Sequence, residues 1–265
     1  MRTAGIDIGS TTTKVAVLED GVLKGWRILP TGVLPARAAE EAFRELLREL
    51  GLEAGALDVV ATTGYGRRLV DFGDVVLTEI KACAAGVLFM VPREAGVHTI
   101  IDVGGQDTKV LALDDAGGVE DFSMNDKCAA GTGRFLQVLA DKLGMAYHEF
   151  VEEAGRSTNL IQMNATCAVF AESEVIGLLA RGASKADIAA AAHHAISTRV
   201  ASMVRRCARR GGYAFVGGGA RNHALVKAVE EALNAPVHVP EHCQVVTALG
   251  AAVCAAMKKV GAGEI

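Results

Sequence analysis

Aromatic side chains are scarce in this chain, 5% of 265 residues with a single tryptophan, and proline occurs five times and nowhere between positions 93 and 235. That gap leaves any helix in the stretch uninterrupted. An excess of charge of one sign is lacking as well: 27 Lys+Arg stand against 31 Asp+Glu, a formal net charge of −4 and a pI of about 6.0. With no overall positive field to draw nucleic acid or an acidic membrane surface, a basic-patch function and a nucleic-acid partner are excluded. Long apolar runs are missing too. The longest, Cys83–Val91 and Ala248–Met257, fall short of the roughly 20 residues a membrane span needs, and Asp7 interrupts any signal-peptide core. The expectation is a cytoplasmic protein with no membrane partner. Six cysteines, at 83, 128, 167, 207, 243 and 254, show no close pairing, which argues against a disulfide framework and leaves reduced thiols or metal ligands. What is present, 51% hydrophobic and 22% charged residues, is the make-up of an ordinary globular chain, long enough for one large or two medium domains.

The chain also resembles itself. Asp7-Ile-Gly-Ser-Thr-Thr-Thr-Lys-Val-Ala-Val-Leu-Glu-Asp20 recurs 95 residues later as Asp102-Val-Gly-Gly-Gln-Asp-Thr-Lys-Val-Leu-Ala-Leu-Asp-Asp115, with identity at 7/102, 9/104, 13/108, 14/109, 15/110, 18/113 and 20/115. An internal duplication is the simplest account. Each copy reads as strand, tight glycine turn, strand, closed by Glu19-Asp-Gly21 and by Asp114-Asp-Ala-Gly-Gly118, with Val22–Leu29 and Val119–Met124 as third strands of two meanders. A helix over Ala36–Leu50 and a strand over Leu57–Thr62 follow in the first half. The second half carries helical patterns at Ala129–Leu143, Ala168–Arg181 and Lys185–Arg210, stopped by Gly144, Gly182 and Gly211, with a capping box at Ser184-x-x-Asp187. A strand at Tyr213–Val216 runs into Gly217-Gly-Gly219, then come helices over Asn222–Leu233 and Ala248–Lys259. The pattern predicts an α/β fold with the order βββαβα twice: residues 1–92, completed by 245–265, as a first domain and 93–244 as a second, facing each other across a cleft.

A hairpin turn of this composition offers a polyphosphate successive backbone N–H groups, the hydroxyls of Ser10, Thr11, Thr12 and Thr13, and the ammonium of Lys14, while Asp7 can hold a metal-bound water. Either copy alone is equally a glycine turn with threonine chosen for its strand propensity. Two copies favour nucleotide binding, and Gly217–Gly219 after an apolar strand then lets backbone approach a nucleotide closely.

The duplicated hairpins and Gly217–Asn222 resemble the actin-like superfamily of acetate and sugar kinases and related ATPases. Asn125-Asp-Lys-Cys-Ala-Ala-Gly-Thr-Gly-Arg-Phe135 and Thr166-Cys-Ala-Val-Phe-Ala-Glu-Ser-Glu-Val175 closely resemble signatures of the activator (component A) of 2-hydroxyacyl-CoA dehydratases, in the BadF/BadG/BcrA/BcrD ATPase family. Relatives there include ATPase subunits of benzoyl-CoA reductase and reductases of double-cubane iron–sulfur proteins. The likeness runs from Gly5 to Ala256.

It implies a homodimer sharing one [4Fe-4S] cluster, to which Cys128 and Cys167 of each chain contribute, so that two chains supply the four thiolates a cubane needs. It further implies an actin-like fold binding ATP or ADP with Mg²⁺, with Ser10–Lys14 on the phosphates, Asp7 and Asp102 near the metal, and Gly104, Gly105 and Gln106 opposite. Gln106 would orient the attacking water, and Gly218, Gly219 and Gln244 would line the nucleoside. The implied activity is ATP-driven delivery of single electrons, from ferredoxin or flavodoxin, to an iron–sulfur dehydratase or reductase. A small-molecule kinase of the same fold is the competing function. Cys83 stands where the family commonly has His, and Cys83, Cys207, Cys243 and Cys254 read as core or surface thiols. His193 and His194, with Arg199, Arg205, Arg206, Arg209 and Arg210 further along, read as a solvated helix face.

Overall fold

The computed structural model describes residues 1–126, 129–159, 161–163, 168–208 and 210–262. Its first meander consists of Arg2–Ile8 (β1), Thr12–Glu19 (β2) and Val22–Pro30 (β3); Pro35–Glu49 (α1), Val59–Thr63 (β4), Val75–Val76 (β5) and Glu79–Met90 (α2) follow. The second meander is Thr99–Val103 (β6), Thr108–Leu113 (β7) and Val119–Asn125 (β8). After it come Gly133–Lys142 (α3), Tyr147–Ala154 (α4), Ala168–Ala180 (α5), Lys185–Cys207 (α6), Tyr213–Val216 (β9), His223–Leu233 (α7), Val237–His238 (β10) and Val246–Ala262 (α8).

The two sheets have the same topology: one is ordered β3-β2-β1-β4-β5, the other β8-β7-β6-β9-β10. In each, the first strand of the meander is antiparallel to the second and parallel to the strand that follows the helix. Helices α1 and α8 cover the two faces of β1; β1 is buried from Thr3 to Ile8 and β6 throughout. The outer strand β3 instead alternates between exposed and half-buried positions, as an edge strand with one wet face must.

The chain divides into two compact units, the first made of 1–96, 117–119 and 244–265, the second of 97–116 and 120–243. In the first, α1 starts at a proline and turns Ala39, Ala42, Phe43, Leu46 and Leu47 onto β1 and β2. Helix α8 lies directly on β1 and α2. A Cβ on Gly5 would stand 1.9 Å from the carbonyl oxygen of Ala248, one on Gly250 1.8 Å from that of Ala82, and Thr3 Oγ1 donates to the Ala252 carbonyl at 2.9 Å. The second unit packs α3, α4, α6 and α7 around Phe135, Leu136, Leu139, Phe150, Ile188, Ile196 and Phe215. Each such side chain contributes roughly 1.5–3 kcal/mol on burial.

The predicted helix over Ala129–Leu143 is two pieces. A 3₁₀ turn at Ala129–Gly131 ends where Thr132 adopts extended backbone, its hydroxyl donating back to the Ala129 carbonyl at 2.8 Å, and α3 begins at Gly133. The Ser184 hydroxyl oxygen accepts from Asp187 N at 3.0 Å and opens α6. The expected solvated face on α6 is corrected at His193, which is 2% exposed and enclosed between α6, α4 and α7; His194, Arg205 and Arg206 are exposed, Arg199 is half-buried, and Arg210 lies beyond the helix. The remaining thiols, Cys83, Cys207, Cys243 and Cys254, are all buried. No helix among the described residues is long and apolar enough to cross a membrane.

Candidate functional site: two hairpins and their glycine floors

In the first unit Asp7 and Lys14 face each other in the β1–β2 register, and Lys14 Nζ donates to Asp7 Oδ2 at 2.9 Å. The turn between them, Gly9-Ser10-Thr11, is braced by Thr31, whose backbone N–H donates to the Thr11 carbonyl at 3.0 Å and whose hydroxyl donates to the Gly9 carbonyl at 2.7 Å. Thr13 is fully buried with its hydroxyl 3.0 Å from that of Thr31. It therefore belongs to the bracing of the turn, while Ser10 and Thr11 are exposed and Thr12 and Lys14 half-buried.

In the second unit Asp102 pairs in register with Lys109. Lys109 Nζ lies 3.7 Å from Asp102 Oδ2 and 2.7 Å from Asp107 Oδ2, so one ammonium is shared between two carboxylates. Gly104 closes the turn by donating its N–H to the Asp107 carbonyl at 2.9 Å, and Gln106 is exposed at the tip. This turn also holds the start of α3: Gly133 N donates to Gly104 O and Arg134 N to Gly105 O, each at 2.9 Å, and the Thr108 hydroxyl donates to the Gly131 carbonyl at 2.6 Å. The unpaired N–H groups of a helix start thus find acceptors in a phosphate-type turn.

Both hairpin aspartates rest on a glycine. Gly64, after β4, has φ +90°, and a Cβ there would come within 2.6 Å of Asp7 Oδ1; Gly217, after β9, has φ +84°, and a Cβ there would come within 2.3 Å of Asp102 Oδ1. Each aspartate therefore presents Oδ2 to a lysine and Oδ1 to glycine backbone, and a side chain at either glycine is blocked by both conformation and space. The match continues two residues on, where Gly66 closes on Ile8 and Gly219 on Val103.

Gly64 and Gly66 were not among the residues singled out from sequence. The signal was there, since Ala61-Thr-Thr-Gly-Tyr-Gly66 parallels Ala214-Phe-Val-Gly-Gly-Gly219, but at a separation of 153 residues instead of 95, because α3, α4 and α5 intervene in the second unit. Thr63, in register with Asp7, also escaped notice. Its buried hydroxyl has no hydrogen-bond partner among the described residues, an orphaned polar atom beside the hairpin carboxylate.

Gly218 is exposed in the second floor, where the first has Tyr65. Gln244 follows directly on Cys243, whose carbonyl accepts from Gly217 N at 2.9 Å. The two cysteines of the sequence motifs, Cys128 and Cys167, lie outside the described residues, as does Arg209. What is described begins one residue after each cysteine, with the 3₁₀ turn at Ala129 and with α5 at Ala168. Among the described residues no group of three or more His, Cys, Asp or Glu is arranged to hold a metal ion.

Comparison with known proteins gives a consistent picture. The model of the family described as "BadF/BadG/BcrA/BcrD ATPase family" matches residues 4–255. The 2-hydroxyisocaproyl-CoA dehydratase activator of Clostridioides difficile is 40% identical over 259 residues, 96% of this chain and 95% of the relative. Among solved structures, component A of (R)-2-hydroxyglutaryl-CoA dehydratase from Acidaminococcus fermentans superposes with a TM-score of 0.92 at 35% identity, over 98% of this chain and 99% of the other. The activator of the 2-hydroxyisocaproyl-CoA dehydratase from Clostridium difficile with bound ADPNP gives 0.91 at 38% identity, over 100% and 98%.

Proposed function

Because the chain belongs to the BadF/BadG/BcrA/BcrD ATPase family, we propose that it is an ATP-hydrolysing activator that delivers single low-potential electrons to a partner iron–sulfur enzyme of the 2-hydroxyacyl-CoA dehydratase type. The observation that carries this reading is the triple hydrogen-bonded tie between the Gly104–Thr108 hairpin and the start of α3, within a few residues of Cys128.

In this reading Ser10, Thr11, Thr12 and Lys14 receive the phosphates of ATP, helped by turn N–H groups, with Thr13 bracing the turn. Asp7 and Asp102, each aimed by its lysine and its glycine, hold the waters of Mg²⁺. Gly104 and Gly105 approach the terminal phosphate, Gln106 orients the water that attacks it, and Gly218, Gly219 and Gln244 line the nucleoside. Loss of the terminal phosphate changes what the 104–106 turn holds, and the carbonyls of Gly104 and Gly105 pass that change to Gly133 and Arg134 at the head of α3.

The residues present fit a [4Fe-4S] cluster held by Cys128 and Cys167 of two identical chains. The four described cysteines are buried, and burial raises the thiol pKa of Cys207 and of Cys254, which makes them poor thiolate donors. Cys167 immediately precedes the 13-residue helix α5, whose N-terminal dipole favours a thiolate. When bound, the cluster supplies a store for one electron, filled by ferredoxin or flavodoxin.

The test is reconstitution: anaerobic protein with an electron source, MgATP and a purified 2-hydroxyacyl-CoA dehydratase. Dehydration that requires ATP hydrolysis supports the reading. Hydrolysis without dehydratase activation, combined with ATP-dependent reduction of an aryl-CoA reductase or a double-cubane protein, moves the partner to those classes. A phosphorylated small-molecule product overturns it in favour of a kinase.

A further inference from the structure

The turn that follows β9 is anchored from beneath by a polar trio, buried His193 and Asn222 with half-buried Tyr147. Asn222 closes that turn, donating its backbone N–H to the Gly219 carbonyl at 3.1 Å, and also opens α7, its side-chain Oδ1 accepting from Leu225 N at 3.0 Å. A helix cap needs no more than this. Yet the Asn222 amide makes two further bonds: Nδ2 donates to Nε2 of His193 at 2.9 Å and to the hydroxyl of Tyr147 at 3.1 Å, reaching α6 and α4. All the hydrogen-bonding atoms of the side chain are engaged, with both amide protons placed.

The direction of the network follows from one atom. His193 Nδ1 lies 2.7 Å from the carbonyl oxygen of Ala189. A carbonyl only accepts, so Nδ1 carries the proton and Nε2 offers a lone pair, which only the amide nitrogen of Asn222 can meet. The histidine thereby decides which way the Asn222 amide faces, and so whether Oδ1 is available to cap α7. The ring itself is held by stacking on Phe150, with centroids 5.4 Å apart. Burial pulls the His193 pKa down to about 4, which keeps the lone pair in place at neutral pH.

We propose that His193 is a positioning residue for nucleotide binding, acting through Asn222 to hold the Gly217–Asn222 turn in the shape that receives the nucleoside. The inference rests on the nucleoside role given to that turn above. It concerns binding more than bond-breaking: His193 and Tyr147 bond the Asn222 end of the turn, whereas Asp102 rests on Gly217 at its other end, so affinity responds more than turnover.

The experiment uses the full-length protein and measures the Kd for MgATP and MgADP together with KM and kcat for ATP hydrolysis. His193→Phe keeps the ring stack but leaves one Asn222 proton without its partner, and is expected to raise Kd and KM about tenfold while kcat at saturation stays within about twofold. His193→Gln, whose Oε1 can accept from Asn222, restores affinity to within about threefold of the parent, and Tyr147→Phe weakens it by about threefold. Unchanged affinity in His193→Phe, a loss confined to kcat, or a His193→Gln protein as weak as His193→Phe overturns the proposal. Should His193→Phe not fold, Tyr147→Phe decides alone, and parental affinity in that variant overturns it. A parent protein that binds neither nucleotide instead defeats the functional reading before any variant is compared.

Discussion

Thr13 and Thr108 occupy the same position in the two copies of the hairpin, and both are buried, yet their hydroxyls bind different things. Thr13 pairs with Thr31 and braces the turn of its own hairpin. Thr108 donates to Gly131, in the segment that connects Cys128 to α3. The lysines diverge in the same way: Lys14 donates to Asp7, while Lys109 sits closer to Asp107 than to Asp102. Between the paired glycines the first unit carries Tyr65, 84% exposed, and the second carries Gly218. The first unit goes from β3 to α1 through a short loop, whereas the second inserts α3, α4 and α5, and both motif cysteines, between β8 and α6. A duplicated frame thus keeps its aspartates and glycine floors, and changes the groups that couple the frame to something else.

The comparison is broken most severely at the aspartates. Asp7→Asn and Asp102→Asn are each expected to lower kcat for ATP hydrolysis by about a hundredfold or more, measured as phosphate release; full activity in either variant removes that hairpin from the site. Next come the floors. Gly64→Ala and Gly217→Ala force a side chain into a left-handed backbone and against a carboxylate, and each should destabilise by roughly 2–4 kcal/mol in denaturant melts. The exposed Tyr65→Ala should stay within about 0.5 kcal/mol.

A third difference is in pH response. His193 titrates near 4 in the fold, because burial disfavours its charge, against about 6.5 when unfolded. Below 6.5 the unfolded chain takes up the proton first, so this stabilisation is complete above about pH 6.5 and is lost as pH falls towards 4. His193→Gln should flatten that decline, by on the order of 3 kcal/mol across the window.

The smallest effect separates the two threonines. Thr13→Val and Thr108→Val should each cost about 1 kcal/mol of stability, but only Thr108→Val should also change the electron paramagnetic resonance spectrum of the reduced protein.

The repeat made the two meanders and their matching aspartates and lysines readable, because register in a hairpin follows directly from which residues flank the turn. Helix α2 was harder. Its run Cys83–Val91 is apolar without period: Cys83, Ala84, Gly86 and Val87 are buried, but Leu88 and Phe89 are apolar and exposed, so the sequence gives no amphipathic signal. Helix α4 is eight residues long and has no side-chain N-cap of the usual kind; the Glu149 carboxylate accepts from Ala146 N instead. His193 looked like a surface residue because arginines follow it, and only the packing of α4 and α7 buries it. Gly64 and Gly66 remained hidden for a different reason: an insertion changes the spacing of a repeat, so a fixed-offset comparison ends where the insertion begins.

The proposed shared metal centre is tested most directly by iron analysis of anaerobically purified protein alongside its mass in solution. The account predicts a brown dimer with about four iron atoms per pair of chains, and colourless but folded protein after Cys128→Ser or Cys167→Ser. A folded, colourless parent, or an iron content untouched by either substitution, would contradict it.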